Sequence, residues 1–340
     1  MKHDEAYNLT EKELARLEAR ITGIYAEAAR DLSEVISDYF EQFKKRDAAQ
    51  KKLVDEGKIT EEKYKQWRLA QIGRGERLKA MRDKVAERMT QTNEVAAAYI
   101  NDFTPGIYSL NRNYTAYEIE KVVGATDFTL FNESAVRRLI VEQPDLMPYY
   151  PPKRAVARGI DLAWGKKQIT RQITSSILQG DSIDHMADKL QRRIPEMNRA
   201  SAVRAARTAT TAAQNGGRMD AMLQARDMGI KQRRRWVAVK DLRTRHDHGM
   251  ADGQVVDMDE PFIVGGEEMM FPGDPSASGA NRYNCRCAIR TVEKDGIEAE
   301  PRMMRVRDPE TGESVLVEEM AYSEWLEWKK NFAHRRQQWA

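Results

Sequence analysis

Two cysteines, Cys285 and Cys287, are all that 340 residues contain. That scarcity argues against a disulfide-stapled extracellular scaffold. Separated by a single residue, the two thiols also make a poor disulfide with one another. Long hydrophobic runs are missing as well, since the longest fall far short of the roughly 20 apolar residues a membrane-spanning helix requires. Met1-Lys2-His3-Asp4 opens no signal-peptide pattern. A net charge of +3 lacks the whole-chain basic excess usual in nucleic-acid modules.

What is present is a chain long enough for two cores, 41% hydrophobic and 32% charged, with a mean hydropathy of -0.71. Such a profile suits helices with extensive solvated faces. Charge is segregated: residues 151–250 hold 21 Lys/Arg against 9 Asp/Glu, whereas 251–300 hold 4 against 11. A basic block beside an acidic one fits nucleic-acid contact, pairing with an oppositely charged partner, or simply a solvated helix surface.

Periodicity predicts a long first helix. Thr10 with Glu13 reads as a capping box. Leu14, Leu17, Ile21, Ile24, Ala28, Leu32, Val35, Tyr39 and Phe43 then form one stripe at steps of three and four. A stripe this long needs a partner helix, from the same chain or another. Gly57 breaks the element, and a short helix around Tyr64 and Trp67 follows. The next runs through Leu78, Met81, Val85, Met89 and Tyr99 and is expected to end at Pro105-Gly106. An Asn- and Tyr-rich stretch, 111–114, precedes a second capping-box pair, Thr115 and Glu118. Residues 127–131 alternate weakly like a short strand, and Asn132 or Ser134 can cap a helix through Val136, Leu139 and Ile140.

Four prolines within 144–152 mark a linker, because proline removes backbone donors and restricts its predecessor. Beyond it, Ile160, Trp164, Ile169, Ile173 and Ile177 predict a helix ending at Gly180. A short helix from Ser182 carries Ile183, Met186 and Leu190, and Asn198 is placed as the cap of an alanine-rich helix running to Gly229. After Gly229 the pattern turns to β: residues 236–239, Val255-Val256 and 262–264 read as strands. A hairpin and a helix with Trp325, Trp328 and Phe332 complete the tail. The fold class is therefore mainly α with a small α+β C-terminal domain, long helices followed by a short-stranded β unit. The expected divisions are a helical region, 1–150, whose long apolar stripe is expected to dock on a partner protein, a second domain, 151–295, and a tail with a helix, 296–340.

Several residues in this order carry a resemblance. Arg207-Thr208 and Asn215-Gly216-Gly217-Arg218 lie on the alanine-rich helix. Trp236 precedes Asp241-Leu242-Arg243-Thr244-Arg245-His246-Asp247-His248, then come Asp252-Gly253, Phe271-Pro272-Gly273-Asp274-Pro275 and Asn284-Cys285-Arg286-Cys287. The ordered set resembles the phage Mu protein F-like family of head morphogenesis, or minor capsid, proteins, over about residues 160–295. The N-terminal half resembles the helical part of siphophage members, with 110–115 its closest stretch. The resemblance implies a low-copy component of a phage head that associates with the portal and other capsid proteins. It also implies a role in head morphogenesis and in packaging or ejection of double-stranded DNA. The implied location is the virion, with the host cytoplasm during assembly. No membrane partner and no enzymatic activity are expected. Some members carry an added toxin or ADP-ribosyltransferase domain, and the roughly 45 residues after the motifs are too few for one.

Three local chemistries stay open. His246, His248, Cys285 and Cys287 offer two imidazoles and two thiolates, a donor set for tetrahedral zinc, so the cofactor is either zinc or none. The spacings are tighter than usual, and Arg245 and Arg282 stand where many relatives carry further Cys or His. The alternative is two buried small side chains on a strand with His248 hydrogen-bonded in a turn. Asp241 and Thr244 can brace a loop through backbone amides while Arg243 pairs with a carboxylate, with Gly253 and Gly273 supplying positive φ. Asp241 with His248 could instead act as an acid/base pair, which would make the chain a metal-dependent enzyme of nuclease or hydrolase type. Lys231, Arg233, Arg234 and Arg235, extended by Arg204, Arg207 and Arg218, are the phosphate-contact set, suited to sequence-independent DNA contact by a packaging or ejection factor. The same arginines could instead pair with the acidic residues of 251–300 or with the portal. Trp236 and Asn284 complete the motif.

Overall fold

The computed structural model describes residues 4–123, 128–142, 162–293, 303–307, 314–318 and 321–338. Four helices occupy its N-terminal part: α1 Glu5–Asp55, α2 Glu61–Arg74, α3 Glu76–Val123 and α4 Glu133–Glu142. α5 Leu162–Leu178 and α6 Ile183–Asp227 follow. Short strands then alternate with two short helices: β1 Gln232–Val237, α7 His246–Ala251, β2 Val255–Val256, β3 Phe262–Val264, β4 Glu267–Met269, α8 Gly279–Arg282 and β5 Ala288–Glu293. The hairpin β6 Met303–Arg307 and β7 Ser314–Glu318 leads to α9 Tyr322–Gln338. The expected fold class is the observed one. The proline-rich linker, Ile160 and the Phe332 side chain lie outside the described residues.

Two compact units are assembled from non-contiguous segments. One comprises Met1–Ala15, Asn101–Lys153 and Ala206–Ala340, the other Arg16–Ile100 and Arg154–Ala205. The second unit is helical. Its core joins Ala28, Leu32, Ile36, Phe40 and Phe43 of α1 to Met81, Val85 and Met89 of α3, Ile169 and Ile173 of α5, and Met186 and Leu190 of α6. The α1 stripe is thus covered from within the chain. Tyr25, Ile36 and Phe40 are buried alongside Ile21, Ala28, Leu32 and Phe43, whereas Ile24, Val35 and Tyr39 sit half-buried beside them. Where two neighbouring side chains are both apolar, the sequence pattern alone does not say which one the helix turns inward.

Helix ends depart from expectation in three places. Thr10 does not cap α1: it lies fully buried inside the helix and accepts a hydrogen bond from Asn111 Nδ2 at 2.9 Å. The cap is Asp4, whose carboxylate accepts the Tyr7 amide at 2.8 Å. α3 runs through Pro105 and through 111–118 without a break. Proline deprives the Asn101 carbonyl of its helical donor, and the Thr104 hydroxyl approaches that oxygen at 3.4 Å. α6 likewise continues through Pro195, so Asn198 caps nothing; its side chain donates to Ile194 O at 2.8 Å and accepts from Asn93 at 3.0 Å. Asn132 and Ser182 do serve as caps of α4 and α6, and Thr60 caps α2.

In the first unit, the Asn- and Tyr-rich stretch that looked loop-like is a buried polar stripe of α3. Asn113 receives the Phe131 amide and donates to the Phe131 carbonyl, which holds 128–131 extended without making it a strand. Arg112 pairs with Asp220 at 2.6 Å and stacks 3.5 Å over the Phe131 ring. α9 packs Tyr322 and Trp325 against Tyr114 and Tyr117, and Lys329 meets Glu120 in a buried ion pair at 2.6 Å. Among the described residues, the strands form an antiparallel sheet of order β2-β1-β5 and the hairpins β3-β4 and β6-β7. β1 and β5 register Trp236 with Ile289, and Asp252-Gly253 clasps β1 through Ala238 N and Trp236 O at 2.9 Å each. β4 and β5 escaped the sequence reading, because Glu267–Met269 is three residues long and acidic and Arg290 interrupts the apolar run of Ala288–Glu293.

Candidate functional site

Trp236 is fully buried at the centre of the β-rich part, with its ring edge-on to Phe262 at 5.4 Å and to His248 at 5.8 Å. His248 comes from α7, Cys285 and Cys287 from the segment leading into β5. In extended chain, residues two apart point to the same side, so both thiols face inward. His248 Nδ1 lies 3.5 Å from each Sγ, and the three side chains are 2–3% exposed. His246 is not part of this cluster: its side chain is 85% exposed. On a helix, positions two apart are rotated by about 200°, so His246 and His248 cannot turn to one point.

α6 fixes the cysteine segment from beneath. Thr211 Oγ1 donates to Cys285 O at 2.5 Å, and Asn215 Nδ2, one turn on, reaches Cys287 O, Pro272 O and Thr211 O at 3.0 Å. Asn215 Oδ1 receives the Ile289 amide at 2.9 Å. Asn284 adopts φ 54, the left-handed conformation that asparagine tolerates better than most residues, and this turns the chain into the thiol segment. A hydrogen bond between the thiols separates their acidities. The Cys285 thiol is held well below its ordinary value by that bond and by facing His248, while the bond and burial push Cys287 up.

The loop after β1 is braced by Asp241. Its carboxylate accepts the Arg243 amide at 2.9 Å and the Thr244 hydroxyl at 3.2 Å, and takes both Arg286 guanidinium nitrogens at 2.6 and 2.7 Å. Arg286 thus holds the Asp241 carboxyl far below the usual range. Arg243 lies 3.7 Å from the same carboxylate. Thr244 also donates to Val239 O. Gly253 and Gly273 both have φ +85, the conformation their turns require.

The basic set disperses. Arg218 is buried, and its guanidinium pairs with Asp4 at 2.7 and 2.8 Å, with Arg290 3.3 Å from the same carboxylate. Arg234 is also fully buried, donating to the backbone carbonyls of Met270, Asp257 and Glu260. Alternation along β1 turns Arg233 and Arg235 to the opposite face, where Arg233 meets Asp257 at 2.7 Å and Lys231 is exposed. Arg204 is exposed in the helical unit, and Arg207 is half-buried in the other. Arg218 and Arg234 are therefore framework cations. Sequence reading missed Asp4 as the counterpart of Arg218, although an acidic residue just ahead of a helix is a cap signal.

The order of these residues, from Arg207 to Ile289, follows a known pattern: residues 167–290 match the family model of phage Mu protein F like protein. That segment carries the phage Mu protein F-like pattern. It is 24% identical to the minor head protein GP7 of Bacillus phage SPP1, over 93% of this chain and 94% of that one. It is 32% identical to the NAD(+)--arginine ADP-ribosyltransferase EFV of Enterococcus faecalis strain ATCC 700802 / V583, over 47% of this chain but only 31% of that protein. An uncharacterized protein, YqbB of Bacillus subtilis strain 168, is 31% identical over 35% of this chain and 39% of its own length. No solved structure matches. Within the family segment, α6 holds the cysteine segment beside His248 through Thr211 and Asn215. No helix among the described residues is long and apolar enough to cross a membrane.

Proposed function

We propose that this phage minor head protein acts at the portal end of the capsid, binding the portal protein and entering the head during its assembly. The observation that carries the reading is likeness to a minor head protein along nearly the whole of both chains. The chain's own chemistry supports a structural role. Asp241 is neutralised by Arg286, and His248 faces two thiols rather than a carboxylate, so the two do not form an acid/base pair. The match to a transferase covers a minor part of that protein, and its activity is not carried over.

The docking surface is not the α1 stripe, whose apolar side chains are used within the helical unit. The β-rich part exposes Leu242, Met250, Ile263 and Tyr283 instead, beside the loop pinned by Asp241 and Arg286. Exposed apolar side chains on a braced loop suit a protein partner, because little order is lost on docking. Co-expression of the full chain with the portal protein of the same phage is expected to give a complex that survives gel filtration. The Leu242→Asp and Met250→Asp variants are expected to weaken it. A monomer that ignores the portal and is absent from purified heads overturns the reading. Contact with packaged DNA would rest on Lys231, Arg233, Arg235, Arg204 and Arg207, since Arg218 and Arg234 are engaged in the interior.

A further inference from the structure

Two thiols and an imidazole converge within an otherwise apolar core made of Trp236, Ala251, Phe262, Phe271 and Ile289. Nδ1 of His248 and Sγ of Cys285 and Cys287 all lie within 4.8 Å of one another. Burying three polar groups together in such a core is costly unless each is well partnered. His248 Nδ1 faces the two sulfurs, while Nε2, on the far edge of the ring, has no partner among the described residues.

The distances fit a different arrangement. With zinc–nitrogen bonds of about 2.0–2.1 Å and zinc–sulfur bonds of about 2.3 Å, tetrahedral angles separate nitrogen from sulfur by about 3.5 Å. His248 Nδ1 stands 3.5 Å from both sulfurs. One sulfur also has an N–H donor of the kind that stabilises metal-bound thiolates: the Cys287 amide lies 3.4 Å from Cys285 Sγ. Soft thiolates with one imidazole select zinc over hard cations such as calcium or magnesium.

We propose that His248, Cys285 and Cys287 form a three-ligand zinc site that staples α7 to the segment leading into β5. The fourth coordination position is left to water or another small ligand, since His246 faces solvent. Residues 37 and 39 positions apart are thereby tied together at the centre of the β-rich part.

Metal analysis of the full chain, purified reduced and without chelators, tests this. About one zinc per chain is expected, falling at least tenfold in Cys285→Ser and in His248→Ala and unchanged in His246→Ala. Cobalt added to metal-free wild-type protein supplies a readout that needs no variant: a strong thiolate-to-cobalt charge-transfer band is expected. Metal-free reduced protein that takes up neither zinc nor cobalt overturns the proposal. So does zinc that persists undiminished in folded Cys285→Ser, or a cobalt spectrum without the thiolate band.

Discussion

Arg218 and Asp4, 214 positions apart in sequence, face each other through two parallel N–H···O bonds of 2.7 and 2.8 Å. Arg218 is 3% exposed and Asp4 11%. Further bonds tie the same guanidinium to Asn111 Oδ1 and Ile289 O at 3.1 Å, so one side chain joins α1, α3, α6 and β5 within their unit. Removing one member of a buried pair strands the other charge, at a cost of about 3–5 kcal/mol. Arg218→Ala is expected to lose stability on that scale in urea unfolding followed by circular dichroism. A loss below about 1 kcal/mol, the range of surface pairs, would contradict the placement.

Acid should expose the same contact. Burial raises the Asp4 carboxyl, but Arg218, by charge and hydrogen bond, with the Tyr7 amide and Arg290, outweighs it and brings the group from 3.8 to about 2. Because the folded value is the lower one, its stabilisation is complete above pH 3.8 and disappears as pH falls through about 2. Unfolding free energy of the wild type is expected to decline over that window more steeply than that of Asp4→Asn. Parallel profiles would refute the assignment.

Gly217 decides how closely α6 approaches α3 within their unit. A Cβ there would meet Tyr108 O at 2.3 Å and Arg112 N at 3.2 Å. Alanine ordinarily improves a helix interior by about 1 kcal/mol over glycine. Gly217→Ala is expected to do the reverse, losing about 2 kcal/mol or more through overpacking. Gly23→Ala on α1, with nothing within 4 Å, is the control and should gain stability. Thermal unfolding of the two variants side by side checks both signs.

Asn215 satisfies three carbonyls and one amide around the cysteine segment. Leaving a buried polar group unpaired costs about 1–3 kcal/mol. Asn215→Ala is therefore expected to lose about 3 kcal/mol or more and to flatten the near-ultraviolet dichroism contributed by Trp236. A variant with wild-type dichroism and melting temperature would show that these bonds are dispensable.

Much of this architecture is legible in the sequence. Periodicity located α1, α2, α5 and α9, and the turn residues bounded the β-rich part. The errors share a cause. Pro105, Pro195 and the cluster from Asn111 to Asn113 look like interruptions because their polarity and missing donors disfavour an isolated helix. Inside the protein, neighbouring groups meet those needs, as the Thr10 hydroxyl and the Phe131 backbone do for the asparagines. The candidate site was half legible. Cysteines two apart share a side in extended chain, whereas histidines two apart on a helix do not, and the sequence did not reveal which local structure held each pair. Counting arginines likewise could not separate those that alternate outward from β1 from Arg234, which turns in.

The discontinuous make-up of the two units sets a timetable for biosynthesis. Asp4 leaves the ribosome 214 residues ahead of Arg218, and Arg290 follows later still. Arg16–Ile100 likewise waits for the segment ending at Ala205 before its core can close. Closure of each unit thus waits on contacts of long sequence separation, which carry a loop-closure cost. During translation the amphipathic first helix spends its time exposed, a nascent state on which a host chaperone has a long opportunity to act.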